Sequence, residues 1–333
     1  MPLVTELPSP LHSVHIMGIG GTAMAALAGM LVDAGCEVTG SDTGVYPPMS
    51  DYLDDLGIRV MEGYRAENLT HHPDLVVVGN VIRAIYAEAE ALVSSDLPYT
   101  SFPGLLGGHF MNQTRNIVVS GTHGKTTTTS LIAWLLEAAE LAPGFLVGGV
   151  AKNFDRTARA AGGKLFVIEG DEYDTAFFDK EPKFLHYRAR TAILTSIEFD
   201  HADIYENLEH CQQSFEKLVR QLPENGCLVA RWDHEAVAQV ARNATCEIRR
   251  YGPGQSWDGQ IEDIDPQTGT MLFTVTRDGI RFGEFRTSLV GEHNLYNQVA
   301  AIAALDREGL KAETLARGFE SFQGIKRRQE ILG

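Results

Sequence analysis

Val118-Val119-Ser120-Gly121-Thr122-His123-Gly124-Lys125-Thr126-Thr127 is an apolar strand that breaks into a short, glycine-bracketed loop. From Thr126 the pattern turns helical and stays so to about Ala139, with Leu131-Ile132-Ala133-Trp134-Leu135-Leu136 supplying an apolar face. A chain that binds a polyphosphate needs inward-turned backbone amides, a helix N-terminus aimed at the anion and a mobile ammonium. Gly121 and Gly124 let the backbone of Thr122 and His123 approach a ligand closely, Lys125 supplies the ammonium, and Thr126, followed by Thr127, supplies a hydroxyl for Mg²⁺. The general G-x-x-x-x-G-K-[ST] pattern is only partly met, because its first glycine falls at Val119 and Gly121 sits two residues later. The alternative is a plain strand-to-helix turn with a chance Gly-Lys-Thr; the flanking strand and helix favour a variant phosphate loop.

Upstream, Ser13-Val14-His15-Ile16-Met17 is a short strand that enters Gly18-Ile19-Gly20-Gly21-Thr22-Ala23, a G-x-G-x-x-A turn opening a helix through Leu31. A second strand, Glu37 to Ser41, ends at Asp42, about 20 residues beyond the glycines, where a dinucleotide fold places the acid that bonds a ribose. Taken literally this predicts NAD. Any nucleotide diphosphate sits equally well over such a turn, and the glycines also serve plain helix-strand packing. Asp74-Leu75-Val76-Val77-Val78-Gly79-Asn80 reads as a parallel strand buried on both faces, Ala84 to Val93 as a helix and Pro98-Tyr99-Thr100 as another strand. The alternation predicts a doubly wound, Rossmann-like α/β domain over residues 13–112.

Downstream, a second domain over residues 113–323 opens with the phosphate strand. The strand Leu165-Phe166-Val167-Ile168 ends in Glu169-Gly170-Asp171-Glu172-Tyr173-Asp174, and the strand Thr191 to Ser196 leads to Glu198-Phe199-Asp200-His201-Ala202-Asp203. Acids at the carboxyl ends of strands lie where α/β sheets bind ligands. Hard oxygen donors beside a phosphate loop suit Mg²⁺ or Mn²⁺ carried by a nucleotide, whereas an isolated acidic run is more simply a solvated loop. Residues 260–288 change to short alternating strands with turns at Pro266-Gln267-Thr268-Gly269 and Arg277-Asp278-Gly279, predicting an antiparallel patch that extends the sheet. His293, Asn294 and Asn297 share a helix start; they could read a planar base or cap the helix.

The 333 residues suffice for two domains, and no stretch approaches the roughly 20 apolar residues of a membrane span. Residues 1–12 hold three prolines and lack a basic signal-peptide start, which predicts a cytoplasmic protein. Cys36, Cys211, Cys227 and Cys246 show no C-x-x-C pair and read as reduced thiols. A net charge of −16 argues against a nucleic-acid backbone as partner and leaves any anionic ligand to local charge, metal and helix ends.

With Gly121 to Thr127, Glu169-Gly170-Asp171-Glu172, Asp200-His201 and Gly291-Glu292-His293-Asn294 in this order, the sequence from 13 to 333 resembles the Mur ligases, which add amino acids to UDP-N-acetylmuramate in peptidoglycan synthesis. Ser41-Asp42 with Val45-Tyr46-Pro47-Pro48-Met49-Ser50, and Tyr173-Asp174 with Ala176-Phe177-Phe178-Asp179-Lys180 and Lys183-Phe184, resemble the members that join the recycled tripeptide L-alanyl-γ-D-glutamyl-meso-diaminopimelate to that sugar nucleotide. The alternatives are the members that add L-alanine and, in a different class, a non-catalytic nucleotide-binding module. The resemblance implies that Gly18, Gly20, Gly21, Thr22, Ala23, Ser41 and Asp42 hold UDP-N-acetylmuramate instead of NAD. It implies that Lys125 binds the ATP phosphates, that Thr126, Glu169 and His201 ligate Mg²⁺, that His293, Asn294 and Asn297 lie near adenine, and that Arg328 reaches the γ-phosphate. A lysine carbamylated in some relatives aligns with Glu216, so no modified lysine is expected. Relatives continue into a third, Rossmann-like domain, of which residues 324–333 would be the start. Without that domain the chain is expected to bind the UDP sugar, to hold ATP weakly and not to turn over.

Overall fold

The computed structural model describes residues 6–199, 205 and 207–325. They form two compact units, one containing the described residues up to Asn112 together with Tyr173–Tyr187, the other containing Gln113–Glu172 and the described residues from Arg188 onward.

The first unit opens with β1 (Ser13–Met17), α1 (Thr22–Asp33), β2 (Glu37–Asp42), α2 (Met49–Asp55) and β3 (Arg59–Glu62). It continues through β4 (Leu75–Val78), α3 (Ala87–Ser94), β5 (Tyr99–Ser101) and the short α4 (Phe102–Leu105). The strands make one parallel sheet in the order β3-β2-β1-β4-β5. All four residues of β4 are buried, as its unbroken apolar run requires of a strand covered on both faces. Strand order reverses between β1 and β4, and a crevice opens there beyond the strand ends, the position at which such sheets take ligands.

The second unit begins with β6 (Arg115–Ser120), α5 (Lys125–Ala138), β7 (Gly144–Ala151), β8 (Arg156–Arg159) and β9 (Leu165–Gly170). The chain then leaves it. Strands β10 (Asp174–Ala176) and β11 (Asp179–Pro182) form an antiparallel hairpin that belongs to the first unit. There Phe177 and Phe178 pack on the cluster of Met17, Val76, Val78 and Ile82, and Phe178 meets the Tyr99 ring edge-on at 5.2 Å. Gly107 receives the hairpin's far end: a Cβ there would overlap the carbonyl oxygen of His186. Sequence patterning runs the second domain unbroken from 113 to 323 and does not show this excursion.

The chain returns with β12 (Ala189–Leu194), α6 (Leu208–Gln221), β13 (Cys227–Arg231), α7 (Glu235–Ala241) and β14 (Glu247–Tyr251). The meander β15 (Trp257–Asp265), β16 (Thr270–Arg277) and β17 (Ile280–Thr287) precedes α8 (Glu292–Arg307) and α9 (Ala312–Ser321). The ten strands run β17-β16-β15-β14-β13-β12-β6-β9-β7-β8. Strands β7, β9, β6, β12, β13 and β14 are parallel, and β15 to β17 extend the sheet as the antiparallel patch that the turn signals mark. Leu131, Ile132, Leu135 and Leu136 of α5 are buried with Leu295, Val299 and Ile302 of α8, so the two helices that carry candidate ligand residues share one core. Cys36, Cys211 and Cys227 are buried free thiols and Cys246 is half-buried.

Candidate functional site

In the second unit the loop between β6 and α5 is tied to the chain that follows β12. Thr122 N–H donates to the Ser196 carbonyl (3.0 Å), His123 N–H donates to Ser196 Oγ (3.0 Å), and Thr195 Oγ1 donates to the His123 carbonyl (2.5 Å). With those two loop amides occupied, α5 begins at Gly124 without a capping side chain, and its first-turn amides have no acceptor within the helix. That is the donor array an anion takes. Gly121 and Gly124 lie at φ +133° and +81°. A Cβ at Gly121 would overlap Thr195 Oγ1 and one at Gly124 would overlap Asn297 Oδ1, so both positions need glycine for conformation and for closeness.

Gly124→Ala is therefore expected to destabilise the protein. Forcing an L-residue left-handed costs about 1–2 kcal/mol, which in a domain of this size lowers the melting temperature by roughly 2–8 °C. Thermal unfolding checks it, and a melting temperature equal to the parent's would mean the loop relaxes freely.

Lys125 is 12% exposed, and its ammonium donates to the Gly121 carbonyl (2.7 Å) and pairs with Glu172, 3% exposed, at 3.2 Å. Glu172 is positioned in turn by Tyr205, whose buried hydroxyl donates to the Glu172 carbonyl (2.6 Å). Thr126 Oγ1 donates to Glu169 Oε2 (3.0 Å), and the Gly148 amide donates to Glu169 Oε1 (2.5 Å). Burial pushes the Glu169 carboxyl above the ordinary carboxylate range, helped by the charge of Asp171 and opposed by the Gly148 and Thr126 hydrogen bonds and by Lys125. The acidic run thus divides by role. Glu169 faces Thr126, Glu172 faces Lys125, and Asp174 pairs with Lys180 at 2.7 Å on the hairpin of the first unit.

Beside the loop lies a cavity of about 440 Å³, lined among others by His123, Gly124, Arg231, His293, Tyr296 and Asn297. The Arg231 guanidinium stacks 3.8 Å from the centroid of the Tyr296 ring. His293 is exposed at the rim, and Asn297 points its amide oxygen towards Gly124. Asn294 touches the cavity but is buried, and its amide donates to the Val290 carbonyl (2.9 Å), tying the first turn of α8 to the chain before it.

In the first unit a cavity of about 490 Å³ opens over Gly18, Gly20, Gly21, Thr22 and Ala23 and is bordered by Asp42, with Tyr64, Asn80 and Tyr86 opposite and Thr175 and Lys183 contributed by the hairpin segment. Asp42 holds the glycine loop in shape: its carboxylate accepts from the amides of Gly20 (2.9 Å) and Thr43 (2.7 Å). Burial and the Asp42 charge push the Tyr64 hydroxyl up to about 12. Ser41 is the one residue of the predicted set that the structure does not bring to this cavity. Neighbouring strand residues face opposite sides, and Ser41 is fully buried with its hydroxyl donating to Glu88 Oε1 (3.0 Å), a carboxylate that also takes His15 (2.8 Å) and Asn68 (2.9 Å).

His201, with Asp200 and Asp203, and Arg328 lie outside the described residues. Among the described residues no cluster of three or more His, Cys, Asp or Glu could hold a metal ion. Of the three expected metal ligands, Thr126 and Glu169 are described, and they lie against each other at 3.0 Å. Sequence reasoning missed Thr195, Ser196, Gly148 and Tyr205, and it placed Glu172 in the acidic run without showing that it pairs with Lys125. The polar Thr195-Ser196 pair closing an apolar strand was a usable signal; nothing in the sequence points to Tyr205.

The chain thus carries a glycine-loop pocket on its first unit and a Gly-Lys-Thr loop at a helix N-terminus on its second. Residues 13–114 match the Mur ligase family catalytic domain and residues 119–305 the Mur ligase middle domain, and the chain belongs to the Mur ligase family. Members of that family are ATP-dependent ligases that form amide bonds. Within it, the chain is 40% identical over 323 residues, 96% of its own length and 69% of the relative's, to the UDP-N-acetylmuramate–L-alanyl-γ-D-glutamyl-meso-2,6-diaminoheptandioate ligase of Escherichia coli (strain K12). The crystal structure of the UDP-N-acetylmuramate:L-alanyl-γ-D-glutamyl-meso-diaminopimelate ligase from Neisseria meningitides is similar at a TM-score of 0.89 and 40% identity, covering 95% of this chain and all of that one. Identity to the UDP-N-acetylmuramate–L-alanine ligase of Acetivibrio thermocellus is 33% over 330 residues, 98% of this chain and 68% of the relative. No helix among the described residues is long and apolar enough to cross a membrane.

Proposed function

We propose that this chain carries the sugar-nucleotide and ATP sites of a ligase that joins L-alanyl-γ-D-glutamyl-meso-diaminopimelate to UDP-N-acetylmuramate. The observation that carries the reading is the greater likeness, over nearly the whole chain, to ligases named for that tripeptide than to one named for L-alanine. In this reading the first unit's glycine pocket takes UDP-N-acetylmuramate, and the second unit's loop takes ATP.

The chemistry asks for positioning more than for a nucleophilic side chain. A carboxylate resists an amine because it is already anionic. An oxygen of the sugar's carboxylate first attacks the γ-phosphorus of ATP, the bond to the bridging oxygen breaks, and ADP leaves. The unprotonated peptide amine then attacks the acyl carbon, phosphate departs with the electrons of the C–O bond, and the nitrogen gives up one proton to the released phosphate or to water. The first-turn amides of α5 hold phosphate oxygens, and Lys125 exchanges Glu172 and the Gly121 carbonyl for them. Thr126 and Glu169 form a hard-oxygen pair that fits Mg²⁺, since a desolvated carboxyl with a raised pKa gains most from a cation. When bound, that ion neutralises charge gathering on the transferring phosphoryl group. Asn297 and the Tyr296–Arg231 stack border the space beside the loop, where the nucleoside would lie.

The test is substrate-dependent ADP release by the protein, with UDP-N-acetylmuramate and either the tripeptide or L-alanine. Stimulation by the tripeptide and not by L-alanine is expected. Preference for L-alanine would make the protein an alanine-adding member of the family, and release indifferent to the sugar nucleotide would contradict the reading.

A further inference from the structure

The glycine pocket of the first unit is poor in positive charge. Its described lining includes Asp42, several glycines, hydroxyls and aromatic rings, and one cation, Lys183. That lysine does not come from the strands that build the pocket. It arrives on Tyr173–Tyr187, the segment that leaves the second unit's sheet after β9 and packs with the first unit.

We propose that Lys183 is the residue that binds the diphosphate of the sugar nucleotide, an assignment that rests on the reading that UDP-N-acetylmuramate occupies this pocket. A diphosphate carries about two charges into a protein whose net charge is −16. The N-terminus of α1, begun at Gly21 with no capping side chain, offers roughly half a charge. Asp42 lowers that further, since its carboxylate borders the same space and already takes the Gly20 and Thr43 amides. An ammonium is the missing complement.

Lys183 is built in rather than loose. Its backbone amide donates to the Tyr173 carbonyl (3.1 Å), its ammonium lies 5.4 Å from the centroid of the Tyr173 ring, and the adjacent Phe184 is fully buried. The Phe177-Phe178 pair anchors the hairpin in the unit's core, and Gly107 admits the His186 carbonyl. Thr175, the other lining residue of the segment, is neutral and donates its hydroxyl to the Glu181 carbonyl (2.8 Å), so the segment's positive charge at the pocket comes from the lysine. The excursion of the chain thereby gains a purpose: it delivers a cation to a pocket whose own strands supply none.

Calorimetric titration of the chain with UDP-N-acetylmuramate, UDP-N-acetylglucosamine and uridine monophosphate tests this, using Lys183→Gln and Lys183→Arg beside the parent. Lys183→Gln is expected to weaken both UDP sugars roughly ten- to hundred-fold, the range for losing a hydrogen bond to a charged group. It should weaken the monophosphate less and lower the melting temperature only slightly, through the lost contact with the Tyr173 ring, and Lys183→Arg should retain most of the affinity. Parent-like binding of UDP-N-acetylglucosamine by Lys183→Gln would overturn the assignment, because a loss confined to UDP-N-acetylmuramate places the lysine on the sugar's carboxylate. A parent chain that binds neither UDP sugar would instead overturn the reading of the pocket itself, and the assignment with it.

Discussion

Lys125→Ala is expected to weaken Mg²⁺·ATP binding by roughly ten- to hundred-fold while leaving affinity for UDP-N-acetylmuramate unchanged. The ammonium is the one side-chain cation placed on the phosphate loop itself, and a hydrogen bond to a charged group is worth about 1.5–3 kcal/mol. The same change has a second consequence. Lys125 pairs with Glu172, which is 3% exposed, and removing one partner of a buried pair strands the other. Lys125→Ala should therefore also lower the melting temperature, and Lys125→Ala with Glu172→Gln should restore stability without restoring nucleotide binding. Competition against a fluorescent ATP analogue, read beside thermal unfolding, separates the two effects. If the double variant recovers ATP affinity, Lys125 acts only as a structural partner of Glu172.

Glu169→Gln is expected to remove most of the Mg²⁺ dependence of nucleotide binding and to flatten its pH dependence. The Glu169 carboxyl titrates above the ordinary 4.5 because it is desolvated. A cation binds the carboxylate, so affinity for Mg²⁺·ATP should rise with pH from that ordinary value up through the raised one. The stability sign runs the other way. A raised carboxyl favours the folded state below its unfolded value, and this contribution is lost as pH rises through the folded value. At neutral pH the metal-free Gln variant should thus be at least as stable as the parent, with the Gly148 amide still finding an oxygen acceptor. Nucleotide titrations with and without Mg²⁺ from pH 5 to 8 check this. A variant that keeps the parent's metal dependence would reduce Glu169 to a strand-end acid.

Features written in local signals were legible in the sequence. The strand-to-helix turn at Gly121 to Lys125 is marked by its bracketing glycines, and the antiparallel patch by turn residues at Pro266 to Gly269 and Arg277 to Gly279; both elements stand where those residues put them. What was hidden depends on contacts between residues distant in sequence. The run from Glu169 to Asp174 reads as one acidic loop, yet it splits between two units because Phe177, Phe178 and Phe184 find their apolar partners on the first. Ser41 stands next to Asp42 but faces the opposite side of β2, where Glu88 takes its hydroxyl. Asn294 carries a group able to read a base, and its burial against Val290 gives that group to the backbone. The grip of Thr195 and Ser196 on the phosphate loop spans more than 70 residues and has no periodic trace.

The central claim is that one chain carries two independent anion sites, a sugar-nucleotide pocket on the first unit and an ATP cradle on the second. Calorimetric titration of the chain and its Lys125→Ala variant with UDP-N-acetylmuramate, NAD and Mg²⁺·ATP tests it most directly. The account predicts one UDP-N-acetylmuramate site of equal affinity in both proteins, no NAD binding, and Mg²⁺·ATP binding that the substitution weakens. NAD competing for the sugar-nucleotide site, or loss of UDP-N-acetylmuramate binding in Lys125→Ala, would contradict it.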